Sequence, residues 1–375
     1  MYLQNLKISQ FRNYTFFEIN PSPEINCFFG NNGIGKTNLL EAIHYLSLTK
    51  GFHSEKDTVQ YDQSFFQING QFSNENNALS IQLNWQNSKG KKIFYNKQPL
   101  NRLSEHIGKI PLVCVLPSDV NLIHENSATR RRWIDSLISQ YNQNYLQTLI
   151  RYEKVKNQRN ALLKDFALTN SFNASLLEPY DFQLIQNGQL IAQIRTEFIQ
   201  EFKQPFEDFF SLITQNTENP TITYQTQFQS NTHQEWQNLI QQSLSKDRHL
   251  QRTHIGIHRD DFQFFINQKP IQTFASQGQQ KSFILALKLA QYQHLYNKTQ
   301  LKPILLLDDF FDKLDQHRAR HFAQIIQQQI QTQTFITDTN LERLQQLFNS
   351  SQSQFLNIKN NYLVPVADLY LVNRL

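Results

Sequence analysis

The stretch GNNGIGKT, from Gly30 to Thr37, matches the phosphate-binding loop pattern G-x-x-x-x-G-K-[ST]. The apolar residues 25–29 before it predict a short buried strand, and the apolar spacing of residues 38–46 after it predicts a helix. A loop between a strand and a helix is the context in which this pattern binds nucleotide phosphates. We therefore predict a nucleotide site on an α/β fold.

The residue types in this loop suit the binding of ATP with Mg²⁺. Its glycines let backbone N–H groups close around phosphate oxygens, and the N-terminus of the following helix adds a positive dipole. We expect the Lys36 ammonium to reach the terminal phosphates and the Thr37 hydroxyl to hold the magnesium ion. The nucleotide-binding residues predicted in this segment are Gly30, Asn31, Asn32, Gly33, Ile34, Gly35, Lys36, Thr37 and Asn38.

A second segment, ILLLDD from Ile304 to Asp309, is an apolar strand that ends in two carboxylates. Asp308 fits the magnesium ligand opposite Thr37, and Asp309 is then placed to orient or deprotonate the attacking water. Taken alone, the pattern would also fit an acidic turn after a core strand. Together with the phosphate-binding loop it predicts an ATPase whose catalytic residues are Lys36, Asp308 and Asp309.

The composition is that of a folded protein, since 39% of the 375 residues are hydrophobic and 18% are charged. No apolar run approaches the length that spans a bilayer, and the first residues lack the layout of a signal peptide. Cys27 and Cys114 both lie in apolar segments, which is typical of buried thiols in a reducing compartment. We therefore expect a cytoplasmic protein.

Positive charge is concentrated in one part of the chain, although the net charge is only +5. Three consecutive arginines, Arg130, Arg131 and Arg132, are the candidate DNA-binding residues. They precede a helical stretch that carries Arg151, Lys154, Lys156, Arg159 and Lys164. Such a stripe fits either a solvated helix face or a surface that binds DNA phosphates, and charge alone leaves both interpretations open.

Hydrophobic patterning divides the chain into three segments. The first 115 residues favour strands with one helix, whereas residues 129–166 and 177–212 have helical spacing and are separated by a polar break at 169–173. Strands alternating with helices after Pro220 favour a parallel sheet. The predicted boundaries are 1–118 for the N-terminal part of an ATPase head, 119–215 for an inserted α-helical lid or hairpin and 216–375 for the C-terminal part of the head.

A segment between the two nucleotide motifs, SQGQQ from Ser276 to Gln280, opens a long predicted helix. It resembles the signature loop of the ABC-type ATPases, which include the SMC proteins. That resemblance implies that Ser276 and Gly278 of one subunit, with the adjacent Gln279, contact the γ-phosphate held by the loop of a second subunit. An ordinary serine N-cap would explain the same residues.

Six further segments are similar to the RecF family of bacterial recombination-repair ATPases, and the likeness spans nearly the whole chain. They are FRNY at 11–14, GFHS at 51–54, PSDV at 117–120, RRRWID at 130–135, GIHRDD at 256–261 and DDFFDKLD at 308–315. The resemblance assigns Leu314-Asp315 to the D-loop that crosses a dimer interface. It also places Thr337, as a nucleotide contact, where many ABC proteins have a switch histidine.

The resemblance implies an α/β ABC-type P-loop ATPase head of mixed sheets and helices with a helical lid. It implies an ATP-dependent homodimer that binds duplex or gapped DNA without sequence preference, with slow, DNA-stimulated ATP hydrolysis as a switch. The implied role is recombinational and replication-gap repair after DNA damage, in the SOS response, with RecO and RecR as partners in loading RecA.

The chain departs from the family pattern in three places. His53 stands where an arginine is expected, Ile257 replaces the usual proline before His258, and residues 114–119 contain no glutamine that would mark a Q-loop. For His258 itself we expect a hydrogen-bonded structural role.

Other classes of ATPase share parts of the pattern. A transporter subunit is disfavoured by the chain's basic character and by the helical segment between the loop and Ser276. A nuclease-associated ATPase of the overcoming-lysogeny type would carry an added acidic metal-binding domain, which the residues after Asp338 do not supply. A partner-recruiting switch that hardly hydrolyses its ATP differs only in a rate, and this alternative stays open.

Overall fold

The chain folds into two compact units, one formed by Met1–Asp119 with Ile284–Leu375 and the other by Val120–Phe283. The computed structural model describes residues 1–74, 77–214, 218–228, 230, 232–311, 316–348, 351–359 and 362–365. The predicted D-loop at 314–315 lies outside these residues.

The strands are β1 Tyr2–Phe11, β2 Tyr14–Ile19, β3 Ile25–Phe29, β4 Phe65–Asn74, β5 Asn77–Gln86, β6 Gly90–Tyr95, β7 Gln98–Pro99, β8 Leu112–Val115, β9 Pro220–Gln225, β10 Asp261–Ile266, β11 Lys269–Pro270, β12 Ile304–Leu307, β13 Thr334–Asp338, β14 Ser353–Lys359 and β15 Tyr362–Pro365. The helices are α1 Lys36–Leu48, α2 Glu55–Thr58, α3 Asn121–His124, α4 Ser127–Ser139, α5 Gln143–Thr169, α6 Glu178–Thr214, α7 His233–Leu250, α8 Ile271–Phe274, α9 Gln277–Thr299, α10 Gln316–Ile325 and α11 Leu341–Leu347. A π-helical turn, Ile326–Ile330, follows α10.

The predicted parallel sheet is confirmed in the first unit, with the strand order β15-β14-β3-β13-β12-β8. All neighbours from β14 to β8 pair in parallel, and β15 is antiparallel to β14. The register pairs Phe29 of β3 with Asp338 of β13, and Leu307 of β12 with Ile336 of β13. Because parallel strands end at one edge, the loop after β3, Asp308 after β12 and Thr337 in β13 come together there.

A second sheet of the first unit is antiparallel, in the order β2-β1-β4-β5-β6-β7. Strand alternation sends one row of residues into the core, where Ile8, Ile68, Leu83 and Ile93 lie side by side across four strands. All four are essentially inaccessible to solvent, and the same core contains the apolar residues of α1. The helix that follows the phosphate-binding loop is thereby held on the sheet, which fixes the position of its N-terminus.

The second unit is built around the long helices α5 and α6 and a three-stranded sheet in the order β11-β10-β9. The helix α6 has 37 residues and continues through Pro205. On one of its faces a phenylalanine recurs at every fourth residue, and all four rings are buried: Phe198, Phe202, Phe206 and Phe210. This repeat keeps one stripe of the helix in the core, which confirms the helical prediction for residues 177–212.

The structure corrects three local predictions. The stretch 129–166 is two helices rather than one, because the chain breaks after α4 and Asn142 begins α5 by accepting from the Tyr145 N–H at 2.9 Å. The helix α7 was not predicted at all. Arg159, which was counted in a basic stripe that is either solvated or DNA-binding, is fully buried and paired with Asp181 and Asp247 at 2.6 and 2.7 Å.

Among the described residues, no helix combines the length and the apolar character needed to cross a membrane.

Candidate nucleotide site

The loop from Gly30 to Thr37 connects β3 to α1 at the edge where the parallel strands end. Lys36 Nζ donates to the carbonyl oxygens of Gly30 and Asn31 at 3.0 and 3.1 Å, so the loop curls around the ammonium group. Gly35, the last residue before α1, has a φ of 112°, which L side chains rarely adopt. The loop therefore has the curled backbone that the phosphate-binding pattern predicts.

The FRNY segment supports this loop from the turn between β1 and β2. Asn13 Nδ2 donates to the Ile34 carbonyl at 2.9 Å, and the Tyr14 hydroxyl donates to the Gly35 carbonyl at 3.0 Å. Burial raises the pKa of Tyr14, so its hydroxyl keeps the proton that it donates. A Cβ on Gly35 would lie 2.6 Å from Asn13 Nδ2 and 2.8 Å from the Tyr14 hydroxyl. The glycine is thus required by close packing as well as by its φ.

Asp308 lies beside the phosphate-binding loop, 271 residues away from it along the chain. The Thr37 hydroxyl donates to its carboxylate at 2.9 Å, and the Thr337 hydroxyl donates to the same Oδ1 at 2.7 Å. The Asp309 N–H donates in turn to Thr337 Oγ1 at 2.9 Å. The tertiary fold therefore joins the predicted magnesium residues Thr37 and Asp308, with Asp309 as the next residue.

Thr337 differs from its expected role in one respect. It is completely buried, and its hydroxyl hydrogen is donated to Asp308 while its oxygen accepts from the Asp309 amide. A hydroxyl has one hydrogen to donate. In this arrangement Thr337 acts on the two aspartates, and its predicted contact with the nucleotide stays a prediction.

The electrostatics at Asp308 suit a divalent cation bound with a nucleotide. Burial and, to a lesser extent, the charge of Asp309 raise the pKa of Asp308, whereas the hydrogen bonds from Thr337 and Thr37 and the charge of Lys36 act in the opposite direction. A buried carboxylate next to a threonine hydroxyl supplies the oxygen ligands that Mg²⁺ prefers, the remainder coming from phosphates and water. Among the described residues there is no cluster of three or more His, Cys, Asp or Glu that could hold a metal ion by itself.

The SQGQQ segment begins α9 in the second unit, whereas the phosphate-binding loop lies in the first. Ser276 is exposed, and its hydroxyl accepts from the Gln279 N–H at 3.2 Å while Gln279 Oε1 accepts from the Ser276 N–H at 2.7 Å. This is a reciprocal helix cap. Gln279 also donates to Glu218, so the helix start is anchored while the serine stays at the surface.

The comparisons with known proteins agree with this geometry. The family model described as the RecF/RecN/SMC N-terminal domain matches residues 2–359. The DNA replication and repair protein RecF of Cytophaga hutchinsonii is 41% identical over 357 residues, covering 95% of this chain and 94% of that protein. RecF of Flavobacterium johnsoniae is 38% identical and covers 95% of this chain and 99% of its own length. The chain belongs to the RecF family.

Solved structures extend the RecF relationship to the fold. A structure of the recombination mediator protein RecF with ATP matches with a TM-score of 0.89 at 28% identity, covering 97% of both chains. An SMC head bound to a domain of ScpA matches with a TM-score of 0.54 at 12% identity, over 99% of this chain and 100% of that chain. The latter shows a common fold only. The predicted ABC-type P-loop head of mixed sheets and helices with an inserted helical lid is confirmed.

The three arginines of the RecF-like segment 130–135 have different surroundings. Arg130 makes a bidentate pair with Asp261 at 2.8 and 3.0 Å, and Arg131 donates to the backbone carbonyl of Asp260. Arg132 is exposed, and its guanidinium donates within its own helix to the Ala128 carbonyl and the Thr129 hydroxyl. The first two guanidinium groups are engaged within the second unit. The assignment of all three to DNA binding stays a prediction, which Arg132 suits best.

The GIHRDD segment forms part of a buried polar network. His258 lies between the Tyr152 hydroxyl, 2.8 Å from Nδ1, and the Thr253 carbonyl, 3.1 Å from Nε2. Burial lowers the pKa of His258 to about 3, so the imidazole is neutral, donates from Nε2 and accepts from Tyr152. This arrangement supports the structural role expected for His258.

Two buried charged residues near these segments were missed by sequence reasoning. Arg195 in α6 pairs with Asp135 at 2.8 Å and with Asp260 at 3.2 Å. Glu41 in α1 accepts from Arg12 Nε at 3.1 Å and from the backbone N–H of Phe52 at 2.7 Å. Glu41 thus joins the FRNY and GFHS segments to the helix of the nucleotide site. The sequence signal that could have identified both residues was a charged side chain on the otherwise apolar, buried face of an amphipathic helix.

Proposed function

We propose that this protein is an ATP-switched DNA-binding protein of recombinational and replication-gap repair, in which ATP and Mg²⁺ close a homodimer on duplex or gapped DNA. The observation that carries the nucleotide part is the Asp308 carboxylate, which accepts from both Thr37 and Thr337 beside the curled loop. The names of its relatives, DNA replication and repair protein and recombination mediator, support the repair role.

The residues of the loop would divide the work of binding ATP. The Lys36 ammonium would exchange the carbonyls of Gly30 and Asn31 for the terminal phosphates, and the N-terminus of α1 would face their negative charge. Thr37 and Asp308 would hold Mg²⁺, which when bound neutralises charge that develops on the phosphates. Asp309 would orient the water that attacks the γ-phosphate.

Several features of the site favour slow hydrolysis. Thr337 carries no charge with which to stabilise the transition state, and its hydrogen is already donated to Asp308. Asp309 has a side chain one methylene shorter than the glutamate that the resemblance to ABC-type ATPases leads us to expect at this position. A long-lived ATP state suits a switch, so we infer weak ATP hydrolysis, stimulated by DNA, that releases the protein from its substrate.

Dimerisation would complete the nucleotide site. The exposed Ser276 and the adjacent Gly278 at the start of α9 would contact the γ-phosphate bound by the other subunit, where a helix N-terminus and a hydroxyl donor form an anion site. The closed dimer would bring two basic surfaces, each including Arg132, onto DNA phosphates. Binding through phosphates is insensitive to sequence and weakens steeply with salt.

The family suggests the partners, and so does the RecFOR pathway, to which the RecF of the matching solved structure belongs by its name. We infer that the protein acts with RecO and RecR to load RecA at single-strand gaps. Because its proposed substrate is chromosomal DNA, the protein would act in the cytoplasm.

Sedimentation velocity tests this proposal directly. The protein should sediment as a monomer without nucleotide or with Mg-ADP, as a dimer with Mg-ATP, and together with gapped duplex DNA only in Mg-ATP. Lys36→Ala should abolish the dimer because it removes the phosphate contact, and Asp309→Asn should trap it because hydrolysis is blocked. Lys50→Ala, which removes an exposed lysine just after α1, is the matched control and should behave as wild type.

The substitution Ser276→Arg separates nucleotide binding from dimerisation. It should leave ATP binding to the monomer unchanged, since Ser276 lies on the other unit, and should prevent the dimer. A monomer in every condition, or a dimer indifferent to nucleotide, would reduce the SQGQQ segment to an ordinary capped helix and refute the shared site. An Asp309→Asn protein that stays monomeric in Mg-ATP would do the same.

A further inference from the structure

An open cavity of about 470 Å³ lies in the second unit, between the end of α5 and the C-terminal turns of α7. Leu163 and Phe166 of α5 contribute its apolar lining and also belong to a small core cluster. Phe172, just beyond α5, contacts Phe166 edge-on with ring centroids 5.3 Å apart. The fold therefore holds the aromatic part of the lining in place, and Asn170, Ser171 and Ser245 add polar groups to the lining.

The charge at the cavity is positive. Arg248 of α7 lines it beside His249, and none of the described residues in its lining is a carboxylate. Lys164 and Lys246 are exposed on the same ends of α5 and α7. Asp165 is exposed next to Lys164 but does not line the cavity, and Asp247 between the α7 cations is buried and paired with Arg159. Basic residues in the last turn of a helix also offset its dipole. That explains their presence in α7, but it does not explain a cavity beside them that contains Phe166 and Phe172.

Arg248 connects the charge to the apolar lining. Its guanidinium carbon lies 3.8 Å from the centroid of the Phe172 ring, so the cation covers one face of that ring. Arginine stacked on an aromatic ring is held in a fixed orientation and still offers its N–H donors to a carboxylate. The ligand that fits carries an apolar group for the cavity and negative charge for its rim.

We propose that this cavity binds an acidic peptide segment of a partner protein, with an aromatic side chain of the peptide beside Phe166 and Phe172 and a carboxylate on Arg248. The volume falls in the range of about 300–1,000 Å³ that is usual for ligand pockets. Acidic motifs are commonly recognised by arginines. A single-stranded nucleic acid fits less well, because its binding needs a positively charged groove that follows the backbone over several nucleotides, whereas Arg248 is the one arginine among the described residues that line this cavity.

The proposal does not rest on the ATP switch, since every residue that lines the cavity lies in the second unit and the phosphate-binding loop lies in the first. It can therefore be tested without nucleotide.

Fluorescence anisotropy with the full-length protein tests it. The probe is a labelled peptide of alternating aspartates and glycines that ends in phenylalanine. Ala167→Trp should fill the cavity, and Arg248→Glu should repel the carboxylates; each should weaken binding about tenfold or more, as expected for the loss of a central contact. Replacing the peptide's phenylalanine by alanine, or its aspartates by asparagines, should have a similar effect.

Matched controls distinguish the cavity from the surface around it. Leu168→Trp adds the same ring one residue away at an exposed position that does not line the cavity, and Lys246→Glu makes the same charge change on α7 outside the lining. Both should bind the peptide as wild type does, and all variants should melt at the wild-type temperature. No binding by the wild-type protein, or equal binding by all variants, would overturn the proposal. A single-stranded oligothymidine that binds in place of the peptide, and is weakened by the same two variants, would overturn it in favour of nucleic acid.

Discussion

The substitution Asp308→Asn should stabilise the protein without nucleotide and remove its response to Mg-ATP. Asp308 is only 5% exposed, and it accepts hydrogen bonds from Thr37 and Thr337. Burial nevertheless raises its pKa above the ordinary value. The two hydrogen bonds therefore do not fully offset the cost of burying the charge.

The sign of the effect follows from proton linkage. Because the pKa of Asp308 is higher in the folded than in the unfolded state, the folded state binds the proton more tightly. The free energy of unfolding then falls as the pH rises from the unfolded pKa to the folded pKa, and the full cost remains at neutral pH. Asparagine keeps an acceptor oxygen for Thr37 and carries no charge, so the substitution removes this cost.

The magnitude is measurable by thermal melting. A change of 1 kcal/mol in the free energy of unfolding moves the Tm of a large domain by about 2–4 °C. We expect Asp308→Asn to raise the Tm at pH 7.5 without nucleotide, because burial shifts the pKa of Asp308 upward. Mg-ATP at a hundred times its Kd should stabilise the wild type by about 2.7 kcal/mol, and the variant should lose most of that gain.

Asp309→Asn is the matched control. It makes the same charge change one residue away, at a half-buried position with a φ of 41°, which asparagine tolerates. Without nucleotide it should change the free energy of unfolding by less than about 0.5 kcal/mol, as is usual for a substitution away from the core. With Mg-ATP it should gain at least as much stability as the wild type, because the ATP-bound dimer is trapped. A fall in the Tm of Asp308→Asn without nucleotide, or an undiminished Mg-ATP response, would refute the reasoning.

Three further outcomes are expected. Gly35→Ala should weaken nucleotide binding about tenfold or more, because a Cβ would meet Asn13 at 2.6 Å and a positive φ costs an L residue about 1–2 kcal/mol. Isothermal titration with ATP measures the affinity. Arg195→Met should destabilise the protein by about 3–5 kcal/mol, because Asp135 and Asp260 lose their buried cation; denaturant unfolding measures it. His258 should stay neutral down to pH 5, since burial lowers its pKa to about 3, and its contribution to stability should fall as the pH drops below the unfolded pKa; NMR of the imidazole measures the protonation.

The chain offers a control for each of these. Gly90 also has a positive φ, of 68°, but nothing lies within 4 Å of its added Cβ, so Gly90→Ala should leave ATP affinity unchanged. Arg151 is exposed on α5, and Arg151→Met should cost little. ATP binding by the Gly35 variant equal to that of the wild type would contradict the packing argument. A loss of stability below about 1 kcal/mol for the Arg195 variant would contradict the argument from its buried ion pairs. A His258 resonance that titrates near pH 6 would contradict the argument from burial.

Local sequence patterns located most of the helices and strands, because the formation of each such element depends on residues only a few positions apart. The row of Ile8, Ile68, Leu83 and Ile93 follows from strand alternation, and the buried face of α6 follows from the four-residue repeat of phenylalanine. The helix α7 was missed because its sequence is rich in glutamine and poor in apolar residues. Its N-cap carried a usable signal, since Thr232 and Glu235 form the pattern T-x-x-E of a capping box.

The sequence by itself determined the phosphate-binding loop, its strand and helix, the paired aspartates after β12 and the family, because these depend on backbone geometry and spacing that a local pattern records. Only the tertiary structure decided which polar groups pair. It joined Thr37 to Asp308 across 271 residues, placed the Thr337 hydroxyl between the two aspartates, and buried Arg195 and Arg159 among carboxylates. The physical reason is that a charge is stable in a core only beside its partner, and that partner is supplied by the packing of distant elements.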